Sequence, residues 1–176
     1  MGGGGGSRTL KPGEIRRLER LARESLKEAA GQGRRNVFIS FASEDLREVN
    51  LLRGQAKNEF TDIEFNDWSV KDPFDSENAE YIRRRIREQI RQSSVTAVYV
   101  SKHTPQSRWV DWEIRESLAQ GKGVVAVHSG DTPPPRLPRG VTENGIPVVP
   151  WSELSQGIER AAQRAERLKP GGKKGL

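Results

Sequence analysis

Short apolar runs alternate with amphipathic segments along most of the chain. The runs at 36–41, 95–100 and 124–128 are rich in β-branched and aromatic residues, which predicts strands buried on both faces of a sheet. Residues 62–66 alternate between apolar and polar and predict an edge strand, and residues 146–149 predict a final short strand. Helical spacing of apolar residues between these strands predicts helices that start at Ser76 and after the N-cap residues Ser43, Ser152 and either Thr104 or Ser107.

Each predicted helix carries an apolar stripe that we expect to face the sheet. The stripes are Leu46, Val49, Ala56 and Phe60; Ala79, Ile82, Ile86 and Ile90; Val110, Ile114 and Leu118; and Leu154, Ile158, Ala161, Ala165 and Leu168. Five arginines between positions 83 and 91 fall outside the stripe of their helix, which predicts a solvated face.

Strands that alternate with helices predict an α/β domain with a parallel sheet and right-handed crossovers. Five strands of this kind commonly adopt the order 2-1-3-4-5. We expect this domain to span residues 35–169, with a basic disordered tail at 170–176. In front of it, residues 10–31 predict an extra amphipathic helix whose stripe, including Ile15 and Leu18, must be covered by this domain or by a second copy. The glycine-rich residues 1–9 predict a disordered tail.

The stretch from Ser94 to Glu113 joins a central strand to the helix that follows it. Trp109 and Glu113 are four residues apart, so the two side chains lie on one face of that helix. Open α/β sheets bind their ligands outside the carboxyl ends of the strands. The sequence therefore predicts that Glu113 and Trp109 lie beside a ligand crevice. A solvated surface position for Glu113 and a core position for Trp109 are the alternatives.

Composition and charge narrow the class of protein. The formal net charge of +6 favours polyanionic partners in general, but nucleic acid is not favoured because the arginine-rich helix has no interleaved aromatics to stack on bases. No apolar run approaches the roughly 18 residues of a membrane span, and no signal segment is visible, so we expect no membrane partner. The chain has no cysteine, which excludes thiol chemistry and suits a cytoplasmic protein.

Metal and Rossmann-type cofactor sites are not predicted. His103 and His128 have no partners at metal-ligand spacing, although His103, near the end of the central strand, is a candidate to line a pocket. The glycine run at 2–6 follows no strand and lacks the context of a phosphate loop. Ser40 and Asp45 are predicted to be structural, at a strand end and in the first turn of a helix.

Several segments occur in an order and spacing that resemble a known family. They are VFISF followed by Glu44 and Asp45, then DWSVK at 67–71, SSVTAVYVS at 93–101, SRWVDWEI at 107–114 and GKGVVAV at 121–127. Together they resemble TIR domains, and within that superfamily the TIR-like proteins of the bacterial Thoeris antiphage system. The resemblance implies a flavodoxin-like fold and cleavage of NAD, as a substrate, at the nicotinamide–ribose bond. In the Thoeris relatives a cyclic ADP-ribose-type signal is released on infection and activates a separate effector, which implies a phage-derived trigger.

The resemblance also assigns roles to individual residues. TIR enzymes place their catalytic glutamate four residues after a tryptophan, which implies Glu113 with Trp109 as its partner. The loop after the second strand is where TIR domains commonly contact one another, so Trp68 and Lys71 are predicted to support self-association. Across the crevice, the end of the first strand is expected to contribute substrate-binding residues, with backbone amides available to phosphate oxygens; these are Phe41, Ala42 and Ser43.

One carboxylate is sufficient for this chemistry. Breaking the bond develops positive charge on the ribose, and a nearby carboxylate can stabilise that charge. Nicotinamide is already cationic and leaves without a general acid. Two other function classes stay open: a non-catalytic TIR interaction module, and a nucleoside or nucleotide glycosyl hydrolase or transferase on a similar sheet. The tryptophan–glutamate pair favours an enzyme over a scaffold, and a substrate panel separates the two enzymes.

Overall fold

The computed structural model describes residues 9, 11–29, 35–59, 63–66 and 73–170. It forms two compact units that meet in sequence between residues 34 and 35. The first unit contains the helix α1 (Pro12–Ala29), which lies within the predicted range 10–31 and begins with proline, a favoured first residue. Ile15 and Leu18 of its apolar stripe are exposed in the single chain, by 42% and 51%. That this stripe is covered by another surface stays a prediction.

The second unit is built on five parallel strands in the order β2-β1-β3-β4-β5, which confirms the predicted topology. The strands are β1 (Arg35–Ser40), β2 (Ile63–Asn66), β3 (Val95–Tyr99), β4 (Gly123–His128) and β5 (Val148–Pro150). The last strand begins two residues later than the predicted 146–149. Ile146 is instead buried against the preceding helix, and its amide donates to the carbonyl oxygen of Val141 at 3.0 Å.

Among the described residues of this unit there are five α-helices. They are α2 (Leu46–Glu59), α3 (Ala79–Gln92), α4 (Arg108–Ala119), the short α5 (Arg139–Glu143), which the sequence did not predict, and α6 (Leu154–Leu168). Ser43 and Ser152 were predicted as N-caps, which is wrong: each lies inside a 3₁₀ turn that precedes its helix. Ser76 was predicted to start α3, but it lies in a turn, where its carbonyl oxygen accepts from the Ala79 amide at 3.0 Å. Such tight turns are frequent at helix ends and delay the first α-helical turn.

The sheet is covered on both faces, because successive residues of a strand point to opposite sides. Val37 and Ile39 of β1 pack in one cluster with Val49 of α2 and Ile158 of α6. Phe38, between them, packs on the other face in a cluster with residues of α3 and α4. The result is a three-layer α/β/α domain.

Two stripe residues lie outside the core. Leu118 of α4 is 37% exposed and Leu168 of α6 is 79% exposed, so their predicted core positions are wrong. In α4 the buried face includes Ser117 instead, and in α6 it includes Ala162. Among the described helices, none is long and apolar enough to cross a membrane. The predicted core residue Phe60 lies outside the described residues.

Candidate active site

The start of α4 is fixed by two side chains of the loop that follows β3. Ser107 is the N-cap, and its hydroxyl oxygen accepts a hydrogen bond from the Val110 amide at 3.2 Å. Thr104, the other predicted cap, is buried and anchors the loop. Its hydroxyl donates to the Tyr99 carbonyl oxygen at 3.2 Å and accepts from the Ser101 amide at 2.6 Å. Helix α4 therefore begins at a set position near the carboxyl end of the central strand.

Glu113 is fully buried on α4, with 0% of its surface exposed. The helix is held to the sheet one turn further on, where the hydroxyls of Ser117 and Thr96 are 2.7 Å apart. The same Ser117 hydroxyl donates to the Glu113 carbonyl oxygen at 2.7 Å. Glutamate is among the residues that are almost never fully buried without a specific reason. The alternative of a solvated surface position for Glu113 is therefore wrong.

Trp109 lies one turn before Glu113 and is 5% exposed. Its ring meets Phe74 edge-on, with centroids 4.9 Å apart, and meets Trp112 nearly perpendicularly at 6.0 Å. It belongs to the same buried cluster as Phe38 of β1. The indole thus has a core position, while its spacing to Glu113 keeps the two residues on one side of the helix.

Arginine side chains cover this aromatic cluster. The Arg83 guanidinium carbon lies 4.4 Å from the Phe74 ring centroid and 5.7 Å from that of Trp109, and Arg83 also donates to the Phe74 carbonyl oxygen at 3.2 Å. Arg87 covers Trp112 at 5.4 Å. The predicted solvated face is therefore wrong for Arg83, whose side chain is 21% exposed, whereas the Arg87 side chain is 44% exposed as that prediction requires. The aromatic partners come from another helix and a loop, so the sequence of α3 itself did not reveal them.

The end of β1 carries the residues predicted to face Glu113 across a crevice. Phe41 and Ala42 are buried, and Ser43 is exposed. Phe41 packs in the cluster with Val37 and Ile39, which are on the sheet face opposite Phe38. A substrate-binding role for these three residues stays a prediction.

Ser40 is the last residue of β1, at the strand end where the sequence predicted a structural role. It is two residues after Phe38, so its side chain points to the face of the sheet that α4 covers. In the parallel register it lies beside Val98 of β3, which packs against α4. Ser40 is 0% exposed, and within the described part of the chain its hydroxyl oxygen has no hydrogen-bond partner. A buried hydroxyl without a partner on this face requires an explanation, and a role in the site is one.

A polar network ties the first turn after β1 to the loop after β3. The Ser101 hydroxyl donates to an Asp45 carboxylate oxygen at 2.5 Å, and the His103 amide donates to the Ser101 hydroxyl oxygen at 3.0 Å. Burial raises the pKa of Asp45, and the hydrogen bond from Ser101 acts against that increase. Asp45 is structural as predicted, but through this bond as well as through its place in a first turn. His103 is half-buried, and its predicted role in lining a pocket is still a prediction.

A second network lies beside it at the carboxyl ends of β3 and β4. The hydroxyls of Tyr99 and Ser129 are 2.9 Å apart, and Ser129 donates to a carboxylate oxygen of Glu48 at 2.7 Å. Burial raises the pKa of the Tyr99 hydroxyl, so this phenol stays protonated. The two networks hold together the loops at the edge of the sheet where ligands are expected.

The outer side of α4 carries a groove of about 330 Å³, lined among others by Phe74, Arg108, Asp111 and Arg115. Helical spacing places Arg108, Asp111 and Arg115 on the side of α4 that faces away from Glu113. This groove is therefore not the predicted crevice.

Two further predictions concern the self-association loop and metal binding. Trp68 and Lys71 lie outside the described residues, so their role stays a prediction. Within 9, 11–29, 35–59, 63–66 and 73–170, no three His, Cys, Asp or Glu side chains are grouped to hold a metal ion.

A parallel sheet in the order 2-1-3-4-5, covered by helices on both faces, defines an α/β domain of the flavodoxin-like class. The buried glutamate one turn after a buried tryptophan is the feature of its candidate site. Residues 38–133 match the sequence profile of the family described as "Thoeris protein ThsB, TIR-like domain". That match covers more than half of the chain, and the chain therefore belongs to this family of TIR-like domains. No curated protein sequence matches it.

Three solved structures share the general shape at low sequence identity. One is the TIR domain of the Toll-related receptor TRR-2 from Hydra magnipapillata, at 20% identity and a TM-score of 0.47, over 73% of this chain and 94% of that one. The CMP N-glycosidase BcmB from Clostridium botulinum has 14% identity and a TM-score of 0.41, over 71% and 96%. The TIR domains of the activated Roq1 resistosome, which recognises the pathogen effector XopQ, have 18% identity and a TM-score of 0.42, over 77% and 85%.

Proposed function

We propose that this domain cleaves NAD at the bond between nicotinamide and ribose, with Glu113 as the catalytic residue. The observation that carries the proposal is a fully buried carboxylate on α4, one turn after a buried tryptophan, in a member of a TIR-like family. Among TIR enzymes the catalytic glutamate stands at this spacing. Burying a carboxyl group is costly, which favours a functional explanation for its presence.

In the proposed reaction the glycosidic C–N bond breaks and its electron pair goes to the nicotinamide nitrogen, so nicotinamide leaves as a neutral molecule. The ribose carbon that remains carries positive charge, as in glycoside hydrolysis. The Glu113 carboxylate stabilises that charge inside a site with little water, where electrostatic interactions are strong. Attack by water then gives ADP-ribose and a proton. Attack by an atom of the same molecule gives a cyclic product.

Ser40 is placed to support this carboxylate. Ser117 of α4 contacts Thr96 at the second position of β3. Four residues of an α-helix span about 6 Å along its axis, which is about the length of two residues of a β-strand. Because α4 returns against the direction of β3, Glu113 is expected at the level of Val98 and its neighbour Ser40. The Ser40 hydroxyl makes no hydrogen bond in the described part of the chain, and we propose that it donates to the carboxylate or to a ribose hydroxyl when NAD is bound.

The burial of Glu113 supports a protein that is silent until triggered. With 0% of its surface exposed, the carboxylate is reached by NAD only after neighbouring side chains move. Membership of the Thoeris family supports a cyclic ADP-ribose-type product that signals to a separate effector in antiphage defence, with a phage-derived trigger. Self-association through the loop that contains Trp68 and Lys71 is a second route to the active state.

Product chromatography after incubation with NAD tests the proposal. The purified protein is assayed alone, under crowded conditions that promote assembly, and with lysate of phage-infected cells. We expect nicotinamide release in at least one of the last two, and a decrease of about a hundredfold or more in Glu113→Gln. Glu116→Gln, which removes the same charge from a half-buried position on the same helix, is the matched control and should retain activity.

Three outcomes would redirect the assignment. Equal activity of the wild type and Glu113→Gln would give the chemistry to another residue. If no condition elicits NAD cleavage but a panel of nucleosides and nucleotides is hydrolysed, the glycosyl hydrolase alternative gains. If the panel is also inert, the domain is an interaction module.

A further inference from the structure

A second cavity lies at the edge of the sheet opposite to the one where α4 begins. Its volume is about 270 Å³, and its lining includes residues at the amino ends of β1, β3 and β4 and in the last turns of α6. Those that matter for its chemistry are Arg35, Arg91, Ser94, Lys122, Glu166 and Lys169. The lining is thus strongly polar, with four cations and one carboxylate in this set.

The single carboxylate of that set is already engaged. Arg35 contacts Glu166 at 3.5 Å, and Arg35 also pairs with Glu159 at 3.0 Å. By contrast, over the part of the chain that the structure describes, no ion pair holds Lys122 or Lys169. Arg91 is paired with Glu88, at 2.6 Å and 2.9 Å, so the unpaired positive charge of the cavity is that of the two lysines.

Lys122 is held in a defined position over this cavity. Its ammonium nitrogen donates to the carbonyl oxygen of Arg91 at 3.0 Å, which leaves two N–H donors for other partners. Burial and the neighbouring charges of Lys169 and Arg91 lower the pKa of Lys122. An anion between these side chains would relieve that repulsion.

A purely structural explanation accounts for part of this arrangement. Helices α3, α4 and α6 all end near the cavity, and cations near helix C-termini are favoured by the helix dipole. Exposed cationic side chains would interact with the helix dipoles equally well. The dipole effect does not explain why a half-buried lysine lies beside two other cations at the rim of a cavity.

We propose that this cavity binds a small phosphate-bearing anion, a phosphomonoester or a diphosphate, between Lys122, Lys169 and Arg91. The Ser94 hydroxyl, which is half-buried at the same rim, is a further donor. Charge-assisted hydrogen bonds from ammonium and guanidinium groups are the usual means by which proteins hold phosphate. The cavity is larger than one phosphate group, so there is room for a second phosphate or a sugar. The site does not depend on the chemistry of Glu113.

Binding of inorganic pyrophosphate and inorganic phosphate, measured at constant ionic strength by calorimetry and by amide chemical shifts, tests this proposal. We expect saturable binding of pyrophosphate, with shifts concentrated at Ser93, Ser94, Gly121 and Lys122. The double variant Lys122→Gln/Lys169→Gln should weaken binding at least tenfold. The matched control Arg115→Gln/Arg139→Gln removes the same charge at the other groove and should bind as the wild type does.

Three results would overturn the proposal. The first is no saturable binding of either anion to the wild type. The second is an equal loss of affinity in the two double variants, which would mean that net charge alone attracts the anion. If the Lys122 change prevents folding, the single variant Lys169→Gln, at an exposed position, replaces the double variant and should still weaken binding. Unchanged affinity in that folded variant contradicts the site equally.

Discussion

Replacement of Arg83 by methionine tests the packing around Trp109 most directly. The guanidinium contacts two aromatic rings and one backbone carbonyl oxygen, and its side chain is 21% exposed. Methionine fills similar space but carries no charge and donates no hydrogen bond. The change therefore removes the polar contacts of Arg83 while keeping much of its apolar packing.

The magnitude follows from three contacts, because the exposed ion pair of Arg83 with Glu80 at 3.5 Å contributes little. The ring of Phe74 at 4.4 Å contributes about 1 kcal/mol, and that of Trp109 at 5.7 Å, near the distance limit, about 0.5 kcal/mol. A hydrogen bond from a charged donor adds about 1.5 kcal/mol. Methionine loses about as much rotamer entropy as arginine when it is ordered, so this cost cancels. The expected loss of stability in Arg83→Met is about 2–3 kcal/mol, which is a decrease in Tm of about 4–12 °C for a chain of this length.

Thermal and denaturant unfolding, followed by near-UV circular dichroism, measure this effect. Arg84→Met is the matched control, because Arg84 is the exposed neighbour on the same helix and its replacement should change stability by no more than about 0.5 kcal/mol. We also expect a weaker aromatic near-UV signal in Arg83→Met, since Trp109 loses a fixed neighbour. Equal Tm values for the two variants would refute the conclusion that Arg83 stabilises the aromatic cluster.

Three further predictions follow. The pKa of Asp45 is raised above its ordinary value of 3.8, so its ionisation makes the folded wild type less stable as the pH rises. The Tm of Asp45→Asn minus the Tm of the wild type should therefore increase between pH 3 and pH 6, and a decrease in that difference would contradict the prediction. Gly123→Ala should lower Tm, since its new carbon would lie 2.4 Å from a carbonyl oxygen of α6, whereas Gly54→Ala, in open space on α2, should raise it. Unfolding scans that rank the two variants the other way would contradict the packing at β4. Trp68→Ala and Lys71→Glu should reduce self-association, measured by light scattering, more than they reduce Tm, and equal losses would make Trp68 a core residue.

Prediction from sequence succeeded where the signal was local. The apolar runs located all five strands to within two residues, and the hydroxyl of Ser107 was one of two named candidates for the cap of α4. The spacing of Trp109 and Glu113 placed both on one face of that helix. These features depend on residues near each other in the chain, and the periods of strand and helix determine them.

Prediction from sequence failed for elements too short to show a period and for contacts between residues that are distant in the chain. The five-residue α5 has too few residues to show a helical period. The N-cap predictions at Ser43 and Ser152 were wrong because each residue lies inside the 3₁₀ turn that precedes its helix. The bond from Ser101 to Asp45 joins residues 56 positions apart, and no local pattern indicates it.

The sequence by itself determined the α/β class, the order of the elements and the helix face on which Glu113 lies, because chain periodicity and right-handed crossovers leave few alternatives. Only the tertiary structure decided that Glu113 is fully buried, that Arg83 covers Trp109 and that two lysines surround a cavity at the opposite edge of the sheet. Burial and electrostatic environment are properties of packed neighbours. They are set when layers of helices close over the sheet, and the side chains that meet there are separated by tens of residues along the chain.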